Sequence, residues 1–281
     1  MQRVLFQHHP QLVVHLNGGT RYDRDPLFRQ LVAVPDHHYD PAEVRRLLDA
    51  HQLGDGQQRV VTNERLTGNP GSGGFDIGRI ARRIAAADPD ARIIAVVREQ
   101  GDLVRSTYRQ MVRMGWIGPP ERLLDDLTYR TPGFHLSQFE FASILDQYRE
   151  LFSPERVLVL DYAQIRTDRT AFLDQLAAFL QVEPWTDGQA LEREVNESRT
   201  PRQTRVLCRL NRYRRSEFVP FPRRQLPGKV LDGTVRAAGA LPKGRPVFSP
   251  QLVAEIRSRF VDDNQQLAER YGIELRSLRE G

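Results

Sequence analysis

The sequence predicts an α/β protein in which a central parallel sheet is flanked by helices, giving three layers. Three short apolar runs typical of buried strands occur at residues 58–62, 92–97 and 156–160. Segments whose apolar residues recur at helical spacing separate and follow these runs. Strands that alternate with helices favour a parallel sheet covered on both faces. Because no internal repeat or linker divides the chain, we expect a single domain over residues 1–281.

The remaining elements follow from spacing and from end signals. Asp40 and Pro41 indicate the start of a helix that runs to about His51, with Asp40 as N-cap and Pro41 at the first helical position. Gly272 is a natural C-cap for the last helix. Residues 216–248, rich in Pro, Gly and Arg, are expected to loop over the surface. The other predicted elements are a strand at 12–15 and helices at 2–9, 75–87, 137–152, 168–180 and 250–271.

Composition limits the functional classes. The formal charge is +5, and only two of the 41 basic residues are lysines, Lys229 and Lys243. A modest positive excess suits anionic ligands. Nucleic-acid binding is not expected, because the arginines are scattered among acidic residues rather than gathered in a stripe with aromatics. No apolar run reaches the length of a membrane span, and the N-terminus lacks a secretory pattern. A single cysteine, Cys208, excludes an internal disulfide and suits a reducing cytoplasm.

Residues 91–114 are the most informative stretch. An apolar strand ends at Arg98, and a helix follows that carries Ser106 eight residues later. Ligands of parallel α/β proteins lie at the carboxyl ends of strands, where helix N-termini also favour anions. Arg98 and Ser106 therefore form a candidate anion site. The alternative is that Arg98 is a solvated cap or an ion-pair partner.

A glycine-rich loop, GNPGSGG at residues 68–74, precedes the predicted helix at 75–87. It lacks the Gly-Lys-Ser/Thr ending of a phosphate-binding P-loop, so we interpret it as a connecting βα loop. The segments 116–135 and 214–248 are long and irregular, which favours a role in shaping an acceptor pocket.

RIIAVVREQGDLVRSTYRQMVRMG resembles the 3′-phosphate-binding segment of sulfotransferases that use 3′-phosphoadenosine-5′-phosphosulfate. Arg98 and Ser106 match the Arg and Ser that hold the 3′-phosphate in that family. RVLVLDYAQIRTDRTAFLDQLAAFL is similar to the family's next strand and helix, and KGRPVFSPQLVAEIRSRFVDDNQQLAERYGIEL to its basic loop and final helix. The resemblance implies the P-loop-like sulfotransferase fold. It places Lys243, Gly244 and Arg245 beside the 3′-phosphate, and it makes Glu64, in VVTNERL, the candidate catalytic base.

The chain departs from the family at its start. The family's first strand leads into a lysine-containing loop that binds the 5′-phosphosulfate, and MQRVLFQHHPQL resembles the helix after that loop. No lysine precedes Lys229. We therefore expect the first strand and its loop to be missing from these 281 residues, and the chain as given to have little or no transferase activity.

The resemblance implies sulfuryl transfer from 3′-phosphoadenosine-5′-phosphosulfate, without a metal, to a hydroxyl or amine of a small molecule or carbohydrate. The alternative is a non-catalytic nucleotide-binding or interaction protein on the same scaffold. A relationship to P-loop kinases is disfavoured by the absent lysine motif. The sequence does not predict the acceptor or the oligomeric state.

Overall fold

The computed structural model describes residues 6–7, 9–16, 25–50, 52–125, 133–185, 199–242 and 244–275. The strands in this part of the chain are β1 (Leu12–Leu16), β2 (Gln58–Thr62), β3 (Ile93–Val97) and β4 (Val157–Asp161). The longer helices are α1 (Pro41–Asp49), α2 (Ile77–Ala87), α3 (Gln100–Met114), α4 (Phe141–Phe152), α5 (Arg169–Leu180), α6 (Pro201–Leu210), α7 (Gly228–Gly239), α8 (Pro250–Ser258) and α9 (Val261–Tyr271). Single helical turns span Pro26–Phe28, Arg29–Ala33, Asp36–His38, Glu64–Thr67, Pro70–Ser72, Pro120–Leu124, Leu136–Phe139, Pro154–Arg156, Gln164–Thr167 and Asn211–Tyr213.

The strands form two parallel pairs, β1 with β2 and β3 with β4. In the first pair Val14 lies opposite Val60, and in the second Ala95 lies opposite Val159. The predicted α/β class with parallel strands is therefore confirmed. Among the described residues no strand joins the two pairs, so the sheet is present as two separate halves.

Helices cover both faces of the strand pairs. On one face, Phe172 and Leu176 of α5 pack with Val60 of β2 and Leu160 of β4, so a single helix spans both pairs. On the other face α2 contributes to two clusters, through Ile80 toward β2 and through Ala81 toward β3. A fourth cluster, centred on α3, α6 and α8, contains Tyr108, Met111, Leu207, Ile256 and Phe260. The three-layer arrangement predicted from the sequence is present.

Residues typical of helix ends marked the bounds of several helices correctly. Asp40 accepts a hydrogen bond from the Ala42 N–H, with Pro41 at the first helical position. Gly272 ends α9 in the left-handed conformation, with φ of 66°. Asp168 accepts from the Ala171 N–H at the start of α5. The predicted helix at 2–9 falls mostly outside the described residues, of which Phe6 and Gln7 are helical.

Two helix predictions were wrong. Residues 216–248 do not merely loop, because α7 forms there and buries Leu231, Val235 and Ala238 at helical spacing. The last predicted helix is two, α8 and α9, divided at Arg259 and Phe260. The break lets α8 pack against α3 while Leu267 of α9 packs against α4, so one straight helix is replaced by two that serve different clusters. No helix in the described ranges has the length and apolarity of a membrane span.

Candidate functional site

The carboxyl ends of β2 and β3 border one large cavity of about 2140 Å³. Glu64, Arg98 and Ser106 all line it, so the structure brings together three of the six residues predicted for the site. Ligands of parallel α/β proteins bind outside the carboxyl ends of strands, and this cavity opens there. It is therefore the candidate functional site.

Arg98 ends β3, and its side chain is 24% exposed. Its guanidinium carbon lies 5.1 Å from the centre of the Tyr162 ring, and its Nη2 lies 3.8 Å from Asp102 Oδ2. Its Nε is buried, with no hydrogen-bond partner among the described residues. The ion pair that formed the alternative interpretation of Arg98 is present, but it is long. The ring and the carboxylate orient the guanidinium and leave donors for an anion.

The N-terminus of α3 is already occupied by a carboxylate of the protein. Glu99 is the N-cap, and its two oxygens accept from the N–H groups of Gly101 and Asp102 at 3.0 and 2.7 Å. A β-carbon added to Gly101 would lie only 2.9 Å from Glu99 Oε1, so glycine makes room for this cap. Because the cap satisfies these donors, the side chains of Arg98 and Ser106 remain the candidate anion-binding groups.

Two contacts from the C-terminal helices fix the start of α3, and sequence reasoning missed both. Arg257 Nε of α8 donates to Glu99 Oε1 at 3.0 Å. The side-chain amides of Gln100 and Asn264 pair reciprocally, at 2.7 and 3.2 Å. Gln100 and Glu99 are both buried. Partners 158 and 164 residues apart leave no periodic signal in a sequence, so only the folded chain reveals them.

The cavity wall formed by α3 is basic. Arg109 and Arg113 line it in the turns after Ser106, and Arg199 lines it from the segment before α6. Together with Arg98, these guanidinium groups give the cavity an excess of positive charge, which suits a ligand with several anionic groups. Cavity arginines other than Arg98 were not predicted, because scattered arginines carry no spacing signal.

Glu64 lies in the single helical turn that follows β2. Asn63 caps this turn by accepting from the Arg65 N–H at 2.8 Å. The Glu64 side chain is exposed at the cavity wall, so its carboxylate remains hydrated in this structure. Its position at the end of a strand beside the cavity is the one that the resemblance implied, and its role stays a prediction.

The basic segment 243–245 is described only at Gly244 and Arg245. Lys243 is outside the described residues, and Gly244 and Arg245 are exposed and do not line the cavity. Gly244 has φ of +73°, and a β-carbon there would lie 2.8 Å from Arg205 Nη2. Arg205 in turn donates to the Pro246 carbonyl at 3.2 Å. Gly244 thus lies against α6, and the role of residues 243–245 beside the 3′-phosphate stays a prediction.

The glycine-rich loop forms a packed turn. Gly68 and Gly74 have φ of +84° and +67°, and a β-carbon at either would approach Ile77 within 3 Å. Asp76 Oδ1 accepts from the Asn69 N–H at 2.9 Å, and Asn69 Oδ1 accepts from the Gly71 N–H at 3.0 Å. These glycines are explained by conformation and close packing, in agreement with the connecting-loop interpretation.

Asp161, at the end of β4, lies opposite Val97 in the register. Burial raises the pKa of Asp161, and a hydrogen bond from the Ala163 N–H, 2.9 Å long, opposes that rise. No group of three His, Cys, Asp or Glu side chains able to hold a metal ion occurs in the described part of the chain.

A family model and a solved structure resemble this chain. Residues 76–187 match the model of the Sulfotransferase family, a range that holds Arg98 and Ser106 but neither Glu64 nor residues 243–245. A crystal structure of a sulfotransferase from Alicyclobacillus acidocaldarius superposes with a TM-score of 0.51 and 18% identity, over 98% of this chain and 90% of that chain. No curated protein matches significantly. The chain therefore has the fold of a sulfotransferase, and residues 76–187 are similar to the Sulfotransferase family, which confirms the predicted resemblance.

Proposed function

We propose that this protein binds 3′-phosphoadenosine-5′-phosphosulfate and transfers its sulfuryl group to a hydroxyl or amine acceptor, either a small molecule or a carbohydrate. The observation that carries the proposal is the convergence of Arg98, Ser106 and Glu64 on one basic cavity at the strand ends. Arg98 and Ser106 would hold the 3′-phosphate through charge-assisted hydrogen bonds, which are the strong ones for phosphate. A buried and reduced Cys208 suits the cytoplasm as the place of reaction.

The chemistry is a displacement at sulfur. The acceptor oxygen or nitrogen forms a bond to sulfur as the bond from sulfur to the 5′-phosphate oxygen breaks, leaving 3′,5′-phosphoadenosine. Glu64 would take the acceptor's proton, which requires the acceptor within hydrogen-bond reach of its carboxylate. Positioning and charge stabilisation dominate such transfers, so the guanidinium groups lining the cavity supply the main catalytic environment. Residues 243–245 remain in the proposal as a basic segment beside the nucleotide.

Calorimetric titration with 3′,5′-phosphoadenosine tests the nucleotide site. We expect micromolar binding, about −8 kcal/mol, by the wild-type protein. Arg98→Ala should weaken binding by roughly 10- to 100-fold, since a hydrogen bond to a charged group contributes about 1.5–3 kcal/mol. The matched control is Arg156→Ala, which removes the same charge from another residue that lines the cavity. Arg156 directly precedes β4 and so lies at the amino end of that strand, whereas Arg98 follows the carboxyl end of β3. Equal binding by Arg98→Ala and the wild type, or equal weakening by both variants, would contradict the proposal.

A second candidate is a nucleotide-binding protein without turnover. It is favoured by the exposed carboxylate of Glu64 and by the fact that no described lysine lines the cavity to stabilise a leaving oxygen. The two candidates share the nucleotide site and differ in catalysis. Transfer of labelled sulfate from the donor to an acceptor panel, lost in Glu64→Gln, supports the enzyme. Nucleotide binding without transfer supports the second candidate.

A further inference from the structure

Residues 213–226, between α6 and α7, form a closed loop on the surface. The Leu226 N–H donates to the Tyr213 carbonyl at 3.1 Å, so the two arms of the loop meet. Within the loop, Ser216 and Val219 exchange both backbone hydrogen bonds, at 3.0 and 3.2 Å. A surface loop of this length whose ends are close together is a compact unit. None of its residues lines the large cavity, so the loop is not part of the site described above.

The loop is anchored on the C-terminal end of α3. Phe218 packs edge-on against Trp116, with ring centres 5.4 Å apart. A β-carbon on Gly115 would lie only 2.2 Å from Ser216 Oγ, so the loop rests directly on the glycine that ends α3. α3 has 15 residues and is therefore about 22 Å long. The anchored loop and the candidate anion site thus lie at opposite ends of one helix.

The loop and the first turn of α7 present apolar side chains to solvent. Phe221 is 87% exposed, more than any other large apolar residue in the described part of the chain. Pro220 and Pro222 flank it, and each restricts the backbone on its side of the ring. Leu226 and Val230 are 36% and 51% exposed. Exposed apolar residues that are grouped, rather than scattered singly, mark interaction surfaces.

The same stretch of chain is strongly basic. Residues 212–230 hold six basic side chains and one acidic side chain, which give a net charge of +5. The bond that closes the loop brings Arg214 on one arm close to Arg224 on the other. None of the six forms an ion pair with a carboxylate of the described residues. All six are exposed: Arg212, Arg214, Arg215, Arg223, Arg224 and Lys229.

We propose that residues 212–230 dock the protein on a membrane surface rich in anionic lipids. Such a surface offers negative charge over an area wider than the loop, with an apolar layer just beneath that accepts an aromatic ring. Arginine suits this boundary, because its guanidinium binds phosphate with two hydrogen bonds while its stem lies along apolar surface. A second copy of the chain would bring like charge to the loop. Nucleic acid would neutralise the arginines but leave the grouped apolar residues without an apolar partner.

Co-sedimentation with lipid vesicles tests the proposal. Vesicles of phosphatidylcholine and phosphatidylserine in equal parts are compared with vesicles of phosphatidylcholine alone. We expect the wild-type protein to bind the anionic vesicles and not the neutral ones. The double variant Arg223→Gln, Arg224→Gln should bind about 30-fold more weakly, since each basic residue near an anionic surface contributes a factor of about five. Phe221→Ser should bind about tenfold more weakly, because its ring no longer enters the apolar layer.

Matched controls carry the same kinds of change on other elements. The double variant Arg45→Gln, Arg46→Gln removes two neighbouring exposed arginines of α1. Val261→Ser removes an apolar side chain that is 60% exposed, at the start of α9. Both controls should bind anionic vesicles as the wild type does. Thermal melts verify that every variant is folded, which we expect because each altered side chain is exposed.

A loss of binding confined to the two loop variants supports the proposal. No binding to either kind of vesicle, or equal losses in the loop variants and the controls, would overturn it. Binding that is unchanged in Phe221→Ser and is displaced by soluble polyphosphate would indicate a site for free polyanions, and would also overturn it. So would tighter binding of a DNA duplex than of anionic vesicles. None of these measurements involves the nucleotide or sulfuryl transfer, so the result is independent of the proposed function.

Discussion

The ends of β3 and β2 border the same cavity but are built differently. After β3, Glu99, Gln100 and Asp102 are buried. Glu99 bonds to Arg257, Gln100 to Asn264 and Asp102 to Arg105. After β2, Glu64 is exposed, and its turn is held by a local cap from Asn63. A buried polar network is costly unless it is fully bonded, so the first end is held in one arrangement while the second is left adaptable.

Under the proposed function, this contrast suits the two halves of the cavity to different tasks. A preorganised Arg98 and Ser106 suit a ligand that is the same in every reaction, such as a nucleotide. An adaptable Glu64 suits an acceptor whose shape varies. Binding groups must be held firmly by their surroundings to act without reorganisation. Removing the buried cap of α3 tests this contrast.

Glu99→Ala should have the largest effect on stability. It removes the N-cap of α3, worth about 1 kcal/mol, and takes the buried partner from Arg257. We expect unfolding free energy to fall by about 2 kcal/mol in urea denaturation. The control, Glu64→Ala, should stay within about 0.5 kcal/mol of wild type. Similar losses in the two variants would remove the distinction between the two ends.

Ser106→Ala should have an intermediate effect, confined to binding. Losing one hydroxyl donor to a charged phosphate should weaken 3′,5′-phosphoadenosine binding about tenfold, or about 1.4 kcal/mol. Thermal stability should change little, because no hydrogen bond of the described residues depends on that hydroxyl. Calorimetry and a thermal melt measure the two quantities. Thr107→Val, which removes the next hydroxyl of the same helix, should bind 3′,5′-phosphoadenosine as the wild type does. A larger loss of binding in Thr107→Val than in Ser106→Ala would show that Ser106 is not the hydroxyl that binds the phosphate.

Asp161→Asn should have the smallest effect, visible only as a pH dependence. Burial raises the pKa of Asp161, so the folded protein retains this proton to higher pH than the unfolded chain. Stability from this group is full below the unfolded pKa and is lost as pH rises through the folded pKa. The variant should therefore gain stability relative to wild type across that window. Urea midpoints from about pH 3 to about pH 7 measure the difference. Asp174→Asn, the same change at an exposed position of α5, is the matched control.

Local signals predicted much of the fold, and competing signals explain the failures. Asp40–Pro41 and Gly272 marked helix ends correctly because caps act within one turn. α7 was missed because abundant Pro, Gly and Arg around it obscured the spacing of Leu231 and Val235. The break at Phe260 was missed because Leu252, Ile256 and Phe260 keep helical spacing across it.

The residues of the site also fall into those that local sequence patterns predicted and those that they did not. Arg98 and Ser106 lie on adjoining elements, so the strand-to-helix pattern placed both at the cavity. The contacts of Arg257 and Asn264 with α3 depend on how distant helices pack, and no spacing rule reaches them.

The reciprocal amides of Gln100 and Asn264 also order events during synthesis. A ribosome makes the chain from its N-terminus, and α3 emerges long before its partner. Contacts across 158 and 164 residues close only when α8 and α9 have been made. A nascent chain halted before Arg257 would carry Arg98 just ahead of a helix whose cap lacks its outer support. The start of α3 therefore reaches its final set of contacts only after Arg257 and Asn264 have been made.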